Sequence, residues 1–502
     1  MHITQKNDAE FCGKVPLHQT NQVQPHGYLL IIDRDSQQIL QASENVTALL
    51  GVPAKEAVQT LMNKYLPQNQ LEQIKESFKN GVQSRLPFLL DFNTGSRLST
   101  VKAQANYFVM EVEREDMVDN KQKSFLSVYQ DIKYVMAAIE QGTDIRELCH
   151  QVIIALKRLS GFDKIMIYQF DESWNGDVIA EVMEDGMDSY LGLKFPASDV
   201  PQQARELYKK TPYRLIPNVN YTPVKLYPVL NPKTRMFTDL SDSNLRSVAE
   251  VHLEYLRNMK VAASMSTRIL KDNQLWGLIA CHHREPKYLS YEMCSVFELL
   301  SHTLSAKISS IQNKDVFDNR SEMYKIHAEI IEHIFRNNSL SNLPPDLLNL
   351  LKADGVAVCI NGMIERIGQT PEENEIHELI NWLQAIENQK VYMQSSLSSV
   401  FEPADAYSEI SSGIMALPLQ PEKQNFILAF RAEAVKKILW GGKPHEAVQF
   451  EPDRNGYHPR ASFAAWQETV KKTSLSWTND EIEVAEKFRN SVIDFILNKM
   501  ES

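Results

Sequence analysis

Apolar residues recur along the chain with two different periods, and the mixture predicts an α+β protein. Between residues 164 and 170 the apolar side chains alternate, so Met166, Tyr168 and Phe170 lie on one face of a predicted strand. The same pattern predicts strands at 28–32, 88–92, 107–113, 177–183, 262–270, 274–283, 356–360 and 426–430. A period of three to four predicts helices at 46–50, 134–159, 202–210, 246–256 and 480–500, with a weak point at Gly142 in the second.

Residues 291–343 contain no glycine or proline. Their apolar residues keep a helical spacing and resume it after residue 322, at Met293, Val296, Leu300, Leu304, Ile308, Ile311, Met323, Ile326, Ile330 and Ile334. A single helix of this span extends on the order of 70 Å at 1.5 Å per residue, too long for one globular core. We therefore expect a helical spine between two domains, and a dimer seam along it. The alternative is two helices that are broken near residues 313–319.

Two other segments lack sustained periodicity. Residues 213–243 contain four prolines, and their apolar side chains argue for an ordered loop, although disorder is the alternative. Residues 438–475 form a long insertion with few apolar residues of core type, so they must pack elsewhere. The last helix follows Thr478 and Glu481, which are spaced as a capping box.

Composition narrows the class of protein. A chain of 502 residues is expected to form two to four domains, and a net charge of -11 argues against a nucleic-acid partner. There is no apolar run of about 20 residues, as a membrane span requires, and the polar N-terminus does not resemble a signal peptide, so we expect a cytoplasmic protein. The five scattered cysteines suggest neither disulfides nor zinc, and the adjacent His282 and His283 point to opposite faces of a strand, so no metal is expected.

Two short motifs carry candidate chemistry. Pro196 and Pro201 bracket Asp199, and because proline fixes φ, the acid is expected on a stiff loop; the alternative is an ordinary helix entry with an acidic cap. Cys12 precedes Gly13 and Lys14, and a thiolate there could add to an electrophile such as a vinyl group. The local sequence alone favours the interpretation of Cys12 as an incidental surface thiol.

These motifs together resemble those of the bacterial phytochromes. The resemblance rests on Cys12, on residues 16–18 and 24–30 (Pro-Leu-His and Gln-Pro-His-Gly-Tyr-Leu-Leu) and on residues 191–201, and it covers nearly the whole chain. It implies three consecutive α/β-sandwich sensory domains: PAS at 24–132, GAF at 133–312 and PHY at 313–478. An N-terminal extension at 1–23 carries the cysteine, and a C-terminal output helix occupies 479–502.

The resemblance also implies two long-range features. Loop 213–243 would lasso the N-terminal segment into a figure-of-eight knot between PAS and GAF, and residues 438–475 would form the PHY tongue, a hairpin that reaches back onto the GAF domain. Lys260 stands where the family usually has glycine, which puts the local turn in question.

The resemblance implies biliverdin as a covalently attached cofactor. Cys12 would form the thioether, since Val251 occupies the position where other phytochromes carry the attachment cysteine. The carbonyl of Asp199 and the side chain of His252 would accept from the pyrroles, and His282 would bond the terminal ring. The other binding residues implied by the family are Tyr168, Tyr190, Phe195, Tyr208 and Tyr255 around the rings, Val200 and Pro201 on the loop, and Arg214, Arg246, Ser264 and Ser266 at the propionates.

The implied function is a red/far-red photoreceptor core that signals to an output module. Isomerisation would free Asp199 from Arg460 of the tongue, Ser462 would replace the arginine, and the tongue, which also carries Trp440, would refold. The resemblance implies a homodimer, parallel or antiparallel, with no catalytic residues beyond autocatalytic attachment. The alternatives are a PAS/GAF sensor of a cyclic nucleotide or metabolite without bilin, or a truncated histidine kinase with His327 or His333 as phosphoacceptor.

Overall fold

The computed structural model describes residues 17–114, 125–386, 390–446, 448–450 and 457–501. Contacts divide the chain into two compact units, Met1–Ser310 with Leu439–Trp466, and Ile311–Ile438 with Gln467–Ser502. Cys12 lies outside the described residues. Among the residues that are described, every helix is too short or too polar to cross a lipid bilayer.

The first sheet is formed by the N-terminal part of the first unit. Its elements are β1 (Gln22–Val23), β2 (Gly27–Asp33), β3 (Ile39–Ser43), α1 (Thr47–Leu50), α2 (Ala54–Ala57), α3 (Gln68–Ser77), β4 (Leu86–Phe92), β5 (Gly95–Ala103) and β6 (Tyr107–Glu113). Strand β2 is buried along its whole length because Leu30 and Ile32 face one apolar cluster and Leu29 and Ile31 face another. The strands predicted here are confirmed, as is the helix end at Gly51, which adopts a φ of 75°.

The second sheet lies in the same unit. Along the chain, the elements that follow β6 are α4 (Phe125–Gln141), α5 (Ile145–Ser160), β7 (Lys164–Phe170), β8 (Gly176–Met183), β9 (Lys194–Phe195), α6 (Gln202–Lys210), β10 (Tyr213–Ile216), β11 (Val224–Tyr227), α7 (Glu250–Asn258), β12 (Ala263–Lys271), β13 (Gln274–His283) and α8 (Tyr291–Asn337). Strand order runs β10-β12-β13-β7-β8-β9-β19-β22, in which β19 (Lys436–Gly441) and β22 (Ala465–Val470) come from much later in the chain, while β11 joins the first sheet beside β3. Helix α5 packs against β7 and β8 and buries Leu148, Val152 and Leu156.

The long loop after β10 holds the N-terminal segment. Strand β1 pairs with β11, with Val23 opposite Val224. On the other side of β1, Gln24 N donates to Leu245 O and Ser247 N donates to Gln22 O, at 2.6 and 2.9 Å. Residues 18–24 therefore lie between two parts of one loop, which is the arrangement that the predicted figure-of-eight knot requires.

Two local predictions need correction. Arg246 is not helical, because its backbone forms a bridge with Val23 and α7 begins only at Glu250. Residues Ala197–Asp199 form a short 3-10 turn instead of the stiff, non-helical loop that the flanking prolines predicted. The weak point predicted at Gly142 is confirmed as a break between two helices, because the Asp144 side chain accepts from Glu147 N and starts α5 anew. Helix α8, in contrast, is continuous over 47 residues, so the predicted spine is confirmed and the alternative of two helices is wrong.

The second unit contains a third sheet, with the order β15-β14-β18-β17-β16. The remaining elements of the chain are α9 (Asp346–Leu351), β14 (Gly355–Ile360), β15 (Met363–Gly368), α10 (Glu373–Ala385), β16 (Tyr392–Gln394), β17 (Gly413–Gln420), β18 (Asn425–Arg431), β19 (Lys436–Gly441), β20 (Val448–Phe450), β21 (Tyr457–Pro459), β22 (Ala465–Val470) and α11 (Asn479–Glu501). Alternate residues of β14 face two clusters, one with Phe488 of α11 and one with Ile376 of α10. The predicted capping box is confirmed, since Thr478 N donates to Glu481 Oε2 at 2.8 Å and Glu481 N to Thr478 Oγ1 at 3.3 Å.

Candidate functional site

A cavity of about 250 Å³ lies in the first unit, on the face of the second sheet that carries Met166 and Tyr168. Helices α6 and α7 and the turn at Ala197–Asp199 close its other sides. The predicted binding residues in the described part of the chain all line it: Tyr168, Tyr190, Phe195, Asp199, Val200, Pro201, Tyr208, Arg214, Arg246, His252, Tyr255, Ser264, Ser266 and His282. Whether each contacts a ligand remains a prediction.

Sequence reasoning missed part of this wall. Met166, Gln203, Tyr213 and Leu278 also line the cavity. The signal for Met166 and Leu278 was available, because period two places each of them on the same strand face as a predicted residue, Tyr168 and His282 respectively. Gln203 and Tyr213 carried no comparable signal, since their strand and helix faces depend on long-range packing.

The Asp199 carboxylate joins the cavity to the distant segment around Arg460. Arg460 Nη2 donates to Asp199 Oδ1 at 2.8 Å, and the Tyr255 hydroxyl donates to Oδ2 at 2.9 Å. Both charged side chains are almost fully buried, with 2% and 5% exposed. Burial raises the pKa of Asp199 from 3.8 to about 6, although Arg460 and Tyr255 act in the opposite direction.

Two arginines form a cationic end of the cavity. Arg214 Nη1 donates to Asn244 O at 2.8 Å, and Arg246 Nη1 donates to Leu17 O at 3.0 Å. Among the described residues, the hydrogen bonds of both guanidinium groups go to backbone carbonyls and not to carboxylates, and Arg246 Nε has no hydrogen-bond partner. Burial, followed by the charge of Arg214, lowers the pKa of Arg246 to about 9. Two neighbouring cations, one buried and one half-buried, can bind an anionic group.

The histidines of the cavity are neutral at pH 7. Burial, followed by the charge of Arg214, lowers the pKa of His252 to about 4, and the His252 ring stacks on Tyr255 with centroids 6.0 Å apart. Burial, followed by the charge of Lys164, lowers the pKa of His282 to about 3. His283 points away from the cavity and its Nδ1 lies 3.1 Å from Asp163 Oδ2, as the strand alternation predicted. Within the described ranges there is no cluster of three metal-ligating side chains.

The described residues of the segment 439–466 approach the cavity from one side. Trp440 of β19 pairs in parallel with Lys194 of β9, and Pro459 lines the cavity. The Arg460 backbone is fixed as well, since Asn258 Nδ2 donates to its carbonyl at 3.1 Å. Ser462 is exposed, so in this structure Arg460 and not Ser462 pairs with Asp199.

Three residues of the wall, Tyr168, Gln203 and Arg246, each have a buried polar side-chain atom without a hydrogen-bond partner among the described residues. The Tyr168 hydroxyl is buried without a hydrogen-bond partner among the described residues. Its ring packs directly on Gly176, where a Cβ atom would lie 1.7 Å from Tyr168 Cζ. The ring is therefore fixed while its hydroxyl remains available to a group in the cavity.

Comparisons with known proteins identify the family. Residues 12–113 match the PAS fold model, residues 144–308 the GAF domain model and residues 324–501 the phytochrome region model. Cyanobacterial phytochrome B of Nostoc sp. is 35% identical over 98% of this chain, and a bacteriophytochrome of Pseudomonas aeruginosa is 31% identical over 97%. The chain spans about two thirds of these relatives, 67% and 66% of their lengths.

Solved structures agree. A bacteriophytochrome from the photosynthetic bacterium R. palustris superposes with a TM-score of 0.82 at 32% identity, covering 97% of this chain and 99% of that one. The phytochrome photosensory core module of Stigmatella aurantiaca gives 0.80 at 32% identity, with 97% and 98% covered. The chain therefore belongs to the phytochrome family and has the fold of its photosensory core, with PAS, GAF and PHY domains and a long helix between the last two.

Proposed function

We propose that this chain is the photosensory core of a red/far-red photoreceptor that carries biliverdin attached to Cys12. Family membership supports the light-sensing role. The observation that carries the specific proposal is the cavity itself, which combines an aromatic wall, two arginines without carboxylate partners and the Asp199–Arg460 pair.

The cavity suits a flat tetrapyrrole with two propionates. Apolar ring faces need aromatic and aliphatic contacts, which Tyr168, Tyr190 and Phe195 supply at one end. The propionates need cations at the other end, where Arg246 is buried and Arg214 is half-buried. Ser266, which lies opposite Arg214 in the strand register, adds a hydroxyl group at that end.

Attachment at Cys12 is compatible with the described chain. The carbonyl of Leu17, five residues later, accepts from Arg246 at the cavity. Five extended residues reach at most about 17 Å, so the position of Leu17 is consistent with attachment at Cys12. We propose that its thiolate forms the thioether with a vinyl group of biliverdin.

The response to light would begin at the aromatic end. Bound biliverdin supplies light absorption and isomerisation of the double bond to its terminal ring. His282, neutral and buried, would hold the carbonyl of that ring before illumination and release it afterwards. Asp199 would then exchange Arg460 for Ser462, and refolding of the tongue would carry the signal to an output module. Asp199→Ala should retain the pigment and lose most of the light–dark difference spectrum.

The decisive experiment mixes the purified chain with biliverdin and records absorption before and after red light. Zinc-induced fluorescence on a denaturing gel then reports covalent attachment. We expect both signals for the wild-type chain and loss of the gel fluorescence for Cys12→Ser. Cys149→Ser, which changes a buried cysteine elsewhere, is the matched control. A chain that stays colourless would favour a sensor of another small molecule, and an adduct on Cys12→Ser would contradict the attachment site.

We further propose a homodimer that forms along α8. The apolar residues predicted for this seam are largely buried within the chain, including Leu300, Leu304 and Ile330. Phe317 is 70% exposed on the same helix and Leu299 is 44% exposed, so the seam would use this other set. Phe317→Glu should shift sedimentation from dimer to monomer, whereas Lys325→Glu on the same helix should not. A wild-type monomer at micromolar concentration would contradict the proposal.

A further inference from the structure

Lys164 is a charged side chain at the centre of the second sheet, with 1% of its side chain exposed. It lies on β7 directly opposite His282 of β13, and residues opposite each other on neighbouring strands project from the same face. A buried ammonium group is strongly unfavourable unless it is paired and hydrogen-bonded. Its partners therefore indicate why the chain keeps it.

Each partner of Lys164 belongs to the wall around Tyr190. Nζ lies 3.1 Å from Glu181 Oε1 and donates to Asp188 O at 2.6 Å. Nζ also lies 3.4 Å from the centroid of the Tyr190 ring, at the distance of a cation–π contact. The ammonium group thus binds both the loop that carries Tyr190 and the ring itself.

Glu181 fixes the same loop from its backbone side. The carboxylate, 4% exposed, accepts from Tyr190 N at 3.0 and 3.2 Å and from Leu191 N at 3.3 Å. Tyr190 lies in an irregular connection between β8 and β9, so no strand ladder sets its position. The Lys164–Glu181 pair does so instead, with the lysine on the ring and the carboxylate on the backbone.

Displacement of Tyr190 would reach the rest of the aromatic wall. Its ring meets Phe195 edge-on at 5.7 Å, and Phe195 lies 6.1 Å from Tyr168. The positive charge of Lys164 also contributes to the lowered pKa of His282, after burial. Lys164 therefore acts on both groups that surround the proposed position of the terminal ring, one by contact and one through its field.

We infer that Lys164 is a positioning residue for the light response: with Glu181 it fixes the Tyr190 ring, and thereby sets how long the illuminated state persists. This inference rests on the proposed function. The proposed light response also places the isomerised terminal ring beside Tyr190, so a loosened Tyr190 should weaken the illuminated state more than the dark state.

The test uses the full chain loaded with biliverdin and compares Lys164→Met with Lys164→Arg. Methionine matches the lysine stem without its charge, while arginine keeps a cation over the ring. We expect all variants to give the same zinc fluorescence on a gel. Lys164→Met should return to its dark spectrum at least about five-fold faster than wild type, as expected when much of a buried cation–π contact is lost from one state. Lys164→Arg should stay within two-fold.

A double variant controls for misfolding caused by an unpaired buried charge. Lys164→Met leaves Glu181 buried without its cation, whereas Lys164→Met with Glu181→Gln removes both charges and keeps an acceptor for the Tyr190 amide. The double variant should also revert faster than wild type. If both Met variants attach pigment and revert at the wild-type rate, the inference is wrong while the proposed function stands. If the wild-type chain attaches no pigment, the proposed function fails first.

Discussion

At the scale of single residues, the Asp199 carboxyl combines burial with a single cation, and the balance between them fixes its protonation. Burial raises its pKa from 3.8 to about 6, so between these values the folded chain binds a proton that the unfolded chain has released. Stability therefore falls as pH rises through this window, by about 3 kcal/mol once pH exceeds 6. Because the pKa of Asp199 lies close to neutral pH, its carboxyl group is well suited to exchange Arg460 for another partner.

This protonation can be measured directly. We expect the chain without pigment to show a carboxylic acid C=O infrared band that disappears near pH 6 and is missing from Asp199→Asn. Arg460 lowers the pKa of Asp199, so Arg460→Ala should move the midpoint upward. A band that is already lost at pH 4.5 in the wild-type chain would contradict this account of the site.

Lys260 shows how one residue can conflict with its backbone. It follows α7 with a φ of 58°, a left-handed conformation that suits glycine, and Lys260 N donates to Arg257 O at 2.9 Å. The turn after α7 therefore forms although Lys260 replaces the usual glycine, and the backbone of Lys260 is strained. Lys260→Gly should raise the free energy of unfolding by about 1 kcal/mol in urea titrations. Lys260→Ala, which loses the side chain but keeps the strain, should give no such gain; equal gains from both would refute the explanation.

At the scale of elements, Gly441 is where β19 meets the cavity wall. A Cβ atom there would lie 2.5 Å from Phe195 Cζ, and Gly441 O accepts from Arg460 Nη1 at 2.6 Å. Gly441→Ala should therefore loosen the tongue by about 1–3 kcal/mol, the usual cost of overpacking. Hydrogen exchange should rise in peptides that cover residues 457–466. Leu439→Ala, which changes an exposed neighbour, serves as the control, and unchanged exchange in Gly441→Ala would oppose this role.

The elements also show what local sequence can and cannot determine. Helix α6 and strand β7 match their predicted bounds because period and flanking residues agree there. The helical pattern extended too far at Arg246, where pairing with residues 22–24 competes with the helix. The parallel pairing of Trp440 with Lys194 joins residues 246 positions apart, and no local pattern contains that information.

The residues of the candidate site likewise include some that the sequence predicted and some that it did not. Its aromatic and cationic residues were predicted from motifs, whereas Lys164 was overlooked although it shares the face of Met166 and Tyr168 by period two. A lysine in a strand is ordinarily taken as a sign of exposure. Only the positions of Glu181 and the Asp188 carbonyl show that this one can be buried.

At the scale of the whole molecule, the cavity draws on distant parts of the chain. Asp199 and Arg460 are 261 positions apart, and residues 439–466 belong to the first compact unit although the chain on both sides belongs to the second. The residues proposed to bind the pigment all lie before Ser310, whereas the cation on Asp199 comes after Leu439. Binding and response should therefore be separable by truncation.

A fragment of residues 1–310 makes this separation. It retains Cys12 and the cavity wall except Pro459, so we expect the same stoichiometry of covalent pigment as for the full chain, by zinc fluorescence. It lacks Arg460, so Asp199 loses the cation that lowers its pKa, and the cavity loses its cover. Red light should then produce a smaller and shorter-lived difference spectrum. Circular dichroism would verify that the fragment is folded.

The variant Arg460→Ala in the 502-residue chain separates loss of the cation from loss of the cover. It removes the cation next to Asp199 and leaves Trp440 paired with Lys194. If charge alone governs the response, this variant and the fragment should show the same reduced photoproduct. If the cover over the cavity matters as well, the amount of photoproduct of the variant should lie between those of the fragment and the wild type. We expect this intermediate result because burial is the largest influence on the pKa of Asp199, and exclusion of water from the cavity depends on Pro459 and its neighbours. A fragment that photoconverts as fully as the intact chain would show that residues 439–466 take no part in the response.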